Sequence, residues 1–474
     1  MSGPDVIVIG GGVSGLSVAW RLAQAGISVE VWEQAERPGG KIVTRHEQGY
    51  VTEQAASVMM DARAEAAHLC TAAGLDAEKV MCPSPERVHR YMAQNGRLMP
   101  FPLRFAALVS SPVWSLRGRL RLLAEPLVPK GGHPGESVSE FIVRRLGREA
   151  LERAFEPFVA GPLASDPDHA SAEAVLPRLV ALERRYGSLG LGICTHKFLH
   201  GRSAPLRDAF SFRMGMATLI GSLARAPGVC FRPRHTVGQV EPAQTGWRVS
   251  GTTPSGERVV RVRHLVVSVP APAAAKLLRP LDRELADLLR GIDYASLAVV
   301  HLGFDRCAVR HPLNGTGFLV PRREGRQITG SQWISSMFPG RTPAGKVLLT
   351  SYLGGARAPE TRDWDDDRCV GAVTDSLRPL LGIRGTPDKV WVDRHERGLP
   401  LYHGAYPGRI RAIAQHLGRW PGLHLAANYW GGISIRDRVT CGYALAQQIA
   451  AALQQPKAFE LTHPGLCYGV VNMT

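Results

Sequence analysis

The chain opens with a short β-branched apolar run, Val6 to Ile9, bounded by Asp5 and by the glycine-rich stretch Gly10-Gly11-Gly12-Val13-Ser14-Gly15. A run of that length beside glycines predicts a strand ending in a turn. The period then changes. Leu16, Ala19, Trp20 and Ala23 fall at i, i+3, i+4 and i+7, which predicts a helix with a single buried stripe, stopped at Gly26. Val29, Val31 and the flanking Glu33 predict a second, parallel strand. Farther on, Val237, Val240, Trp247 and Val249, then Leu265 to Pro270, read as short strands that return to the opening domain. A different mixture lies between. Trp114, Leu116, Leu120, Leu122, Leu123 and Leu127 interleave with Arg117, Arg119 and Arg121, the pattern of an interfacial helix or of a solvated basic one.

With 474 residues, the chain has room for two or three modules. Its 45% hydrophobic and 21% charged residues exclude a disordered or collagen-like chain. The net charge of +16 favours anionic partners: nucleic acid, an acidic membrane surface or a carboxylated substrate. The basic residues form no tract, which argues against nucleic acid. The eight cysteines lie far apart, with no C-x-x-C and no zinc-ligand spacing, so reduced thiols in a cytoplasmic protein are expected. Neither a basic n-region nor an apolar stretch of about 18 residues is present, so neither export nor a transmembrane anchor is expected.

The opening stretch carries the candidate chemistry. Gly10 permits the tight turn, Gly12 lets backbone approach a pyrophosphate, and Gly15 allows close helix–strand packing, with the phosphates on the helix N-terminus. Glu33, at the end of the second strand, is placed to accept hydrogen bonds from ribose hydroxyls. This fingerprint serves NAD and FAD alike. Glu36-Arg37-Pro38-Gly39-Gly40 adds a second glycine pair and resembles the extension found in the flavin amine oxidase superfamily. A second dinucleotide fingerprint is missing, because Gly190-Leu191-Gly192 lacks its third glycine. One site predicts an oxidase or substrate dehydrogenase rather than a pyridine-nucleotide reductase.

Glu156-Pro157-Phe158-Val159-Ala160-Gly161, Asp166-Pro167, Pro177-Arg178, Gly317-Phe318-Leu319-Val320-Pro321, Phe338-Pro339-Gly340-Arg341, Gly354-Gly355-Ala356-Arg357 and Asn428-Tyr429-Trp430-Gly431-Gly432 extend the likeness over residues 5–453. Together these motifs resemble the oxygen-dependent protoporphyrinogen oxidase family. The resemblance implies an α/β fold of three modules. A Rossmann-like FAD-binding domain would span 1–83, 205–275 and 415–454. A mixed-sheet substrate domain would span 84–105, 188–204 and 276–414. A helical, membrane-docking domain would fill 106–187, with 455–474 as a tail. The implied FAD contacts are Gly10, Gly11, Gly12, Val13, Ser14 and Gly15; Glu33 and Gln34; Gly39, Gly40 and Lys41; Ala55, Ala56, Ser57 and Val58; Val237; and Asn428, Gly432, Ile433, Ser434 and Ile435. Arg90 aligns with a propionate-binding arginine, and Leu319, Thr329 and Tyr352 with the pocket wall.

The resemblance further implies a carboxylated porphyrinogen as substrate, molecular oxygen as acceptor, a peripheral contact with the inner face of the membrane and a homodimer. No metal set and no general base stands out, since His89, His196 and His403 read equally well as structural histidines. The chain also departs from the pattern. Ala55-Ala56 replaces a Gly-Pro turn after Glu53, Ala427 stands for glycine, and Arg436 for a small residue. Thr329 and Tyr352 stand where Leu and Phe are common, Pro162-Leu163-Ala164-Ser165 replaces a Val-Tyr-Ala-Gly-like stretch, and Tyr406 replaces a histidine after Gly404. Two hydroxyls thus enter an apolar wall, where each needs a partner. These departures leave two rivals open: a relative recruited to desaturate or oxidise another ring-bearing or amine metabolite, and a non-catalytic flavin- or tetrapyrrole-binding protein.

Overall fold

The computed structural model describes residues 3–60, 63–83, 89–102, 111, 113–200 and 209–454, with backbone alone for 196–200. The strand β1 (Val6–Ile9), the helix α1 (Val13–Gln24) and the strand β2 (Val29–Trp32) follow one another as the sequence pattern predicts. They belong to a five-stranded parallel sheet ordered Val229–Arg232, β2, β1, His264–Val267, Leu423–Leu425. Parallel strands covered on both faces carry apolar residues at every position. Accordingly Val6 and Val8 pack into one core with α1, while Ile7 and Ile9 pack into a second core on the opposite face.

One expectation is corrected here and another is narrowed. The single buried stripe of α1 is too narrow: Gly15, Leu16, Ser17, Val18, Ala19, Trp20 and Leu22 are all buried. The reason is the helix Ile435–Gln454, which packs so close that a Cβ on Gly442 would lie 2.8 Å from Ser17 Cβ. The strands Thr236–Pro242 and Trp247–Thr253 do not join the parallel sheet. With Gly256–Val262 they form a separate antiparallel one, and only His264–Val267 returns to the parallel sheet, ending before Ser268.

A seven-stranded mixed sheet runs in the order Lys389–Pro400, Tyr294–Asp305, Lys346–Gly354, Ile328–Trp333, Gly315–Leu319, His89–Gln94, Arg97–Pro100. Side chains alternate across it. Tyr91, Phe318, Trp333, Leu349, Leu353 and Val300 bury one face together with Val373 and Leu377 of the helix Asp366–Leu381. The opposite face carries Arg90, Gln332, Tyr352 and His301.

Residues 113–200 hold a further core, built on Val138, Phe141, Ile142 and Leu189. In the helix Leu116–Leu123 the leucines of one face point outward: Leu116, Leu120 and Leu123 are 73%, 59% and 64% exposed, and Leu127 just beyond is 85% exposed. Trp114 is buried and Leu122 faces the core. Arg119 donates to the Ser111 carbonyl at 3.1 Å and Arg121 to that of Arg144 at 2.6 Å, while Arg117 is exposed. The predicted tail, 455–474, lies outside the described residues.

Candidate active site

Gly10 takes φ +107°, and a Cβ there would meet the Ser268 carbonyl oxygen at 2.7 Å. A Cβ on Gly15 would lie 2.2 Å from the Gly10 carbonyl oxygen, so only glycine lets α1 approach β1 this closely. Gly12 is different, because a Cβ there would meet nothing within 4 Å. Gly12 is also the N-cap of α1, with no side-chain cap and no acidic residue in the first turn, where Val13 and Ser14 sit. Open space above uncapped helix amides fits a phosphate group. Glu33 closes the turn from the end of β2: its carboxylate accepts from the amides of Gly11 at 2.7 Å and Ala35 at 2.8 Å. Gln34 is exposed.

The second glycine pair lies directly on the first. Gly39 pairs with Gly12 and donates to the Gly11 carbonyl at 2.8 Å. Gly40 is exposed, and a Cβ on it would be 3.6 Å from Gly12 Cα. Lys41, next in sequence, donates through Nζ to the carbonyls of Arg397 and of Gly398, the latter at 2.7 Å, and burial pushes its ammonium down to about 8. Val237 packs against the core on the second face of the parallel sheet. At the far end, Arg438 is 2% exposed and donates to the carbonyls of Ala427 and, at 2.7 Å, Trp430. That guanidinium fixes the loop holding Asn428 to Ile433, and Ser434 caps the following helix by accepting from Asp437 N at 3.1 Å. Ile435 is buried.

Lys41 ties the second glycine pair to the strand Lys389–Pro400 of the seven-stranded sheet. Ala55 and Ala56 are half-buried, and Val58 packs with Cys82, Met337 and Phe338. Ser57 donates to Gln332 Oε1 at 2.7 Å, and Tyr352 donates to the same oxygen at 2.9 Å. Burial pushes the Tyr352 phenol up to about 12. Thr329 is buried and donates to the Tyr352 carbonyl at 3.4 Å. Both hydroxyls in the wall therefore have partners. Leu319 reaches the helix Glu156–Leu163, where a Cβ on Gly161 would lie 2.7 Å from its Cδ2. Arg90 is half-buried, burial lowers its affinity for its proton, and no carboxylate of the described residues pairs with it.

Sequence reasoning missed the bonds that tie the two-stranded hairpin Thr44–Glu47 and Tyr50–Glu53 to the seven-stranded sheet and to the loop at Arg341. Glu53 and Arg341, each nearly fully buried, pair at 3.0 Å, and the same carboxylate accepts from Met216 N at 2.9 Å and Thr44 Oγ1 at 2.7 Å. Burial raises the Glu53 carboxyl despite those donors. Beside it, Asp393 accepts twice from Arg45, at 3.1 and 2.6 Å, and lies 3.4 Å from His301 Nε2. Gln332 was also missed. Among the histidines read as structural, His403 bonds Ser165 Oγ at 2.7 Å, His89 is exposed beside the Tyr91 ring, and the side chain of His196 is outside the described residues.

The sequence matches, over residues 13–450, the family model described as flavin containing amine oxidoreductase. It is 30% identical over 485 residues to the mitochondrial protoporphyrinogen oxidase of Nicotiana tabacum, covering 96% of each chain. It is 26% identical over 465 residues to the coproporphyrinogen III oxidase of Bacillus subtilis, covering 93% of this chain and 96% of that one. Among solved structures, a chain from Exiguobacterium sp. 255-15 superposes with a TM-score of 0.78 at 23% identity, covering 95% of this chain and 100% of that one.

Proposed function

The chain belongs to the flavin-containing amine oxidoreductase family and is an FAD-dependent oxidoreductase, and from that premise we propose that it dehydrogenates a carboxylated porphyrinogen, with molecular oxygen as the final acceptor. The observation that carries the substrate reading is Arg90. A half-buried guanidinium with no carboxylate partner among the described residues is a binding group for an anion brought by the substrate. A propionate matches its fork, and the net charge of +16 draws polyanions toward it.

When bound, FAD supplies the two-electron acceptor. In this reading, the amides at Gly12, Val13 and Ser14 hold its pyrophosphate and Glu33 its ribose. Val237 meets the adenine, and Lys41 and the loop from Asn428 to Ile435 line the far end of the cofactor. Ala55 to Val58 cover the ring, and Leu319, Thr329 and Tyr352 form the substrate wall. Hydroxyls that are already bonded cost the wall little, so the substitutions at Thr329 and Tyr352 fit a porphyrinogen pocket as well as one for another metabolite.

The test is anaerobic mixing of the yellow protein with protoporphyrinogen IX or coproporphyrinogen III. Flavin bleaching, followed by porphyrin fluorescence once air is readmitted, is expected. Arg90→Ala should cut kcat/KM at least tenfold, chiefly through KM. Bound flavin that stays oxidised with both porphyrinogens overturns the reading in favour of another metabolite or of a non-catalytic carrier.

The outward leucines at 116, 120, 123 and 127, with Arg117 among them, further suggest an acidic lipid surface as the partner of the helical region. None of the described helices is long and apolar enough to cross a membrane, so this contact would be peripheral. The protein should sediment with phosphatidylglycerol vesicles, and Leu120→Asp combined with Leu127→Asp should release it. Sedimentation unchanged by the double substitution rules the surface out.

A further inference from the structure

The order of the seven-stranded sheet sets Arg90 and Gln332 two strands apart on the face opposite the helix Asp366–Leu381. Gly317 pairs with Gln332, while Gly315 pairs with His89 and Phe318 with Tyr91, so a bulge sets both Thr316 and Gly317 opposite Arg90. Gln332 and Arg90 are thus separated by the one strand Gly315–Leu319. With neighbouring strands about 4.8 Å apart, the outer two backbones stand about 9.6 Å from each other, comparable to the width of a tetrapyrrole. Between them stand the half-buried Thr316 and the buried Gly317, the latter at φ +134°.

Arg90 and Gln332 differ in kind. Arg90 is a cation with no carboxylate partner among the described residues. Gln332 is a neutral amide whose direction is fixed, because both lone pairs of Oε1 are taken by the hydroxyls of Ser57 and Tyr352 at 2.7 and 2.9 Å. Its Nε2 group makes no hydrogen bond to any described residue and is not enclosed. Two N–H donors are thus left without an acceptor among the described residues.

We propose that Gln332 is a specificity-determining residue, whose amide donates to a carboxylate at the substrate edge opposite the one held by Arg90. The site then selects a porphyrinogen with propionates on all four pyrroles over one with propionates on two adjacent pyrroles and vinyl groups on the others. This deepens, and rests on, the porphyrinogen reading above. A vinyl group placed against the amide leaves its donors without an acceptor, a loss of roughly tenfold in binding. Tyr352 and Ser57 act through Gln332 as positioning residues.

The experiment uses FAD-loaded protein and measures anaerobic flavin bleaching with coproporphyrinogen III and protoporphyrinogen IX. Binding of the corresponding oxidised porphyrins is followed in parallel by fluorescence. Wild type should favour the tetracarboxylate by about tenfold in kcat/KM, carried by KM. Gln332→Leu should remove that preference by weakening the tetracarboxylate alone, and Gln332→Glu should reverse it by repulsion. Tyr352→Phe, which frees the amide to rotate, should reduce the preference by a smaller factor, and the flavin spectrum of each variant reports that the fold survives.

A ratio unchanged in Gln332→Leu overturns the inference while leaving the porphyrinogen reading intact. Equal slowing of both substrates together with a shifted flavin absorption also overturns it, since the amide then serves the cofactor. If neither porphyrinogen bleaches the wild-type flavin, the proposed function falls and this inference falls with it.

Discussion

Two helices in this molecule begin amid closely spaced glycines, and their N-termini are treated in opposite ways. At Leu189–His200, where Gly190 and Gly192 sit in the first turn, the buried carboxylate of Glu125 accepts from Leu189 N and Gly190 N, each at 2.9 Å, and from Ser188 Oγ at 2.6 Å. At α1 no side chain caps Gly12, and the space above it is open. Both termini present the same partial positive charge. The first spends it on the protein's own carboxylate and the second keeps it for a ligand, so an unclaimed set of amides marks a site where glycine spacing alone does not.

The comparison breaks most visibly at Glu125. Burial opposes its ionisation, but the donors from Ser188, Gly190 and Leu189, with Arg145, outweigh that and hold the carboxyl below its usual range. Arg145 has no exposure at all and pairs with Glu125, and its other carboxylate neighbour, Glu183, stands 3.5 Å away. Glu125→Gln should therefore destabilise the protein by about 3 kcal/mol, the low end for breaking a buried pair, because Glu183 still faces the orphaned guanidinium. Chemical denaturation measures this, and FAD affinity of the folded fraction should not change. A loss of FAD binding at full stability would mean that the two termini are not independent.

The same contrast explains what could be read from sequence. The β1–α1–β2 unit was legible because its signals are local: a β-branched run, glycines at fixed offsets and a 3.6-residue period. So was the regular spacing of Leu116, Leu120, Leu123 and Leu127, but periodicity gives a stripe without saying whether it faces core or solvent, and here it faces out. Burial on all sides of α1 was not legible, since it depends on a helix more than 400 positions later. Glu53 and Arg341 each fell within a recognisable motif, yet no spacing rule joins residues 288 positions apart. Gln332 carried no signal of its own, because its role depends on which strand lies beside it and on Ser57 arriving from 275 positions away in the chain.

A smaller effect sharpens the contrast at the open terminus. Gly12 has φ −74° and ψ 173°, an extended conformation that alanine adopts freely, and a Cβ there touches nothing. Gly12→Ala should leave the melting of the apoprotein within about 0.5 kcal/mol of wild type. The added methyl nonetheless stands where a pyrophosphate would approach, so FAD affinity, read by flavin fluorescence, should fall about tenfold, or about 1.4 kcal/mol. Gly190→Ala provides the mirror image, because its Cβ would press to 3.3 Å on Glu125 Oε2 and lower stability without touching FAD affinity. If Gly12→Ala binds FAD as well as wild type does, the open amides are not where the pyrophosphate rests, and the difference between the two termini would reflect folding alone.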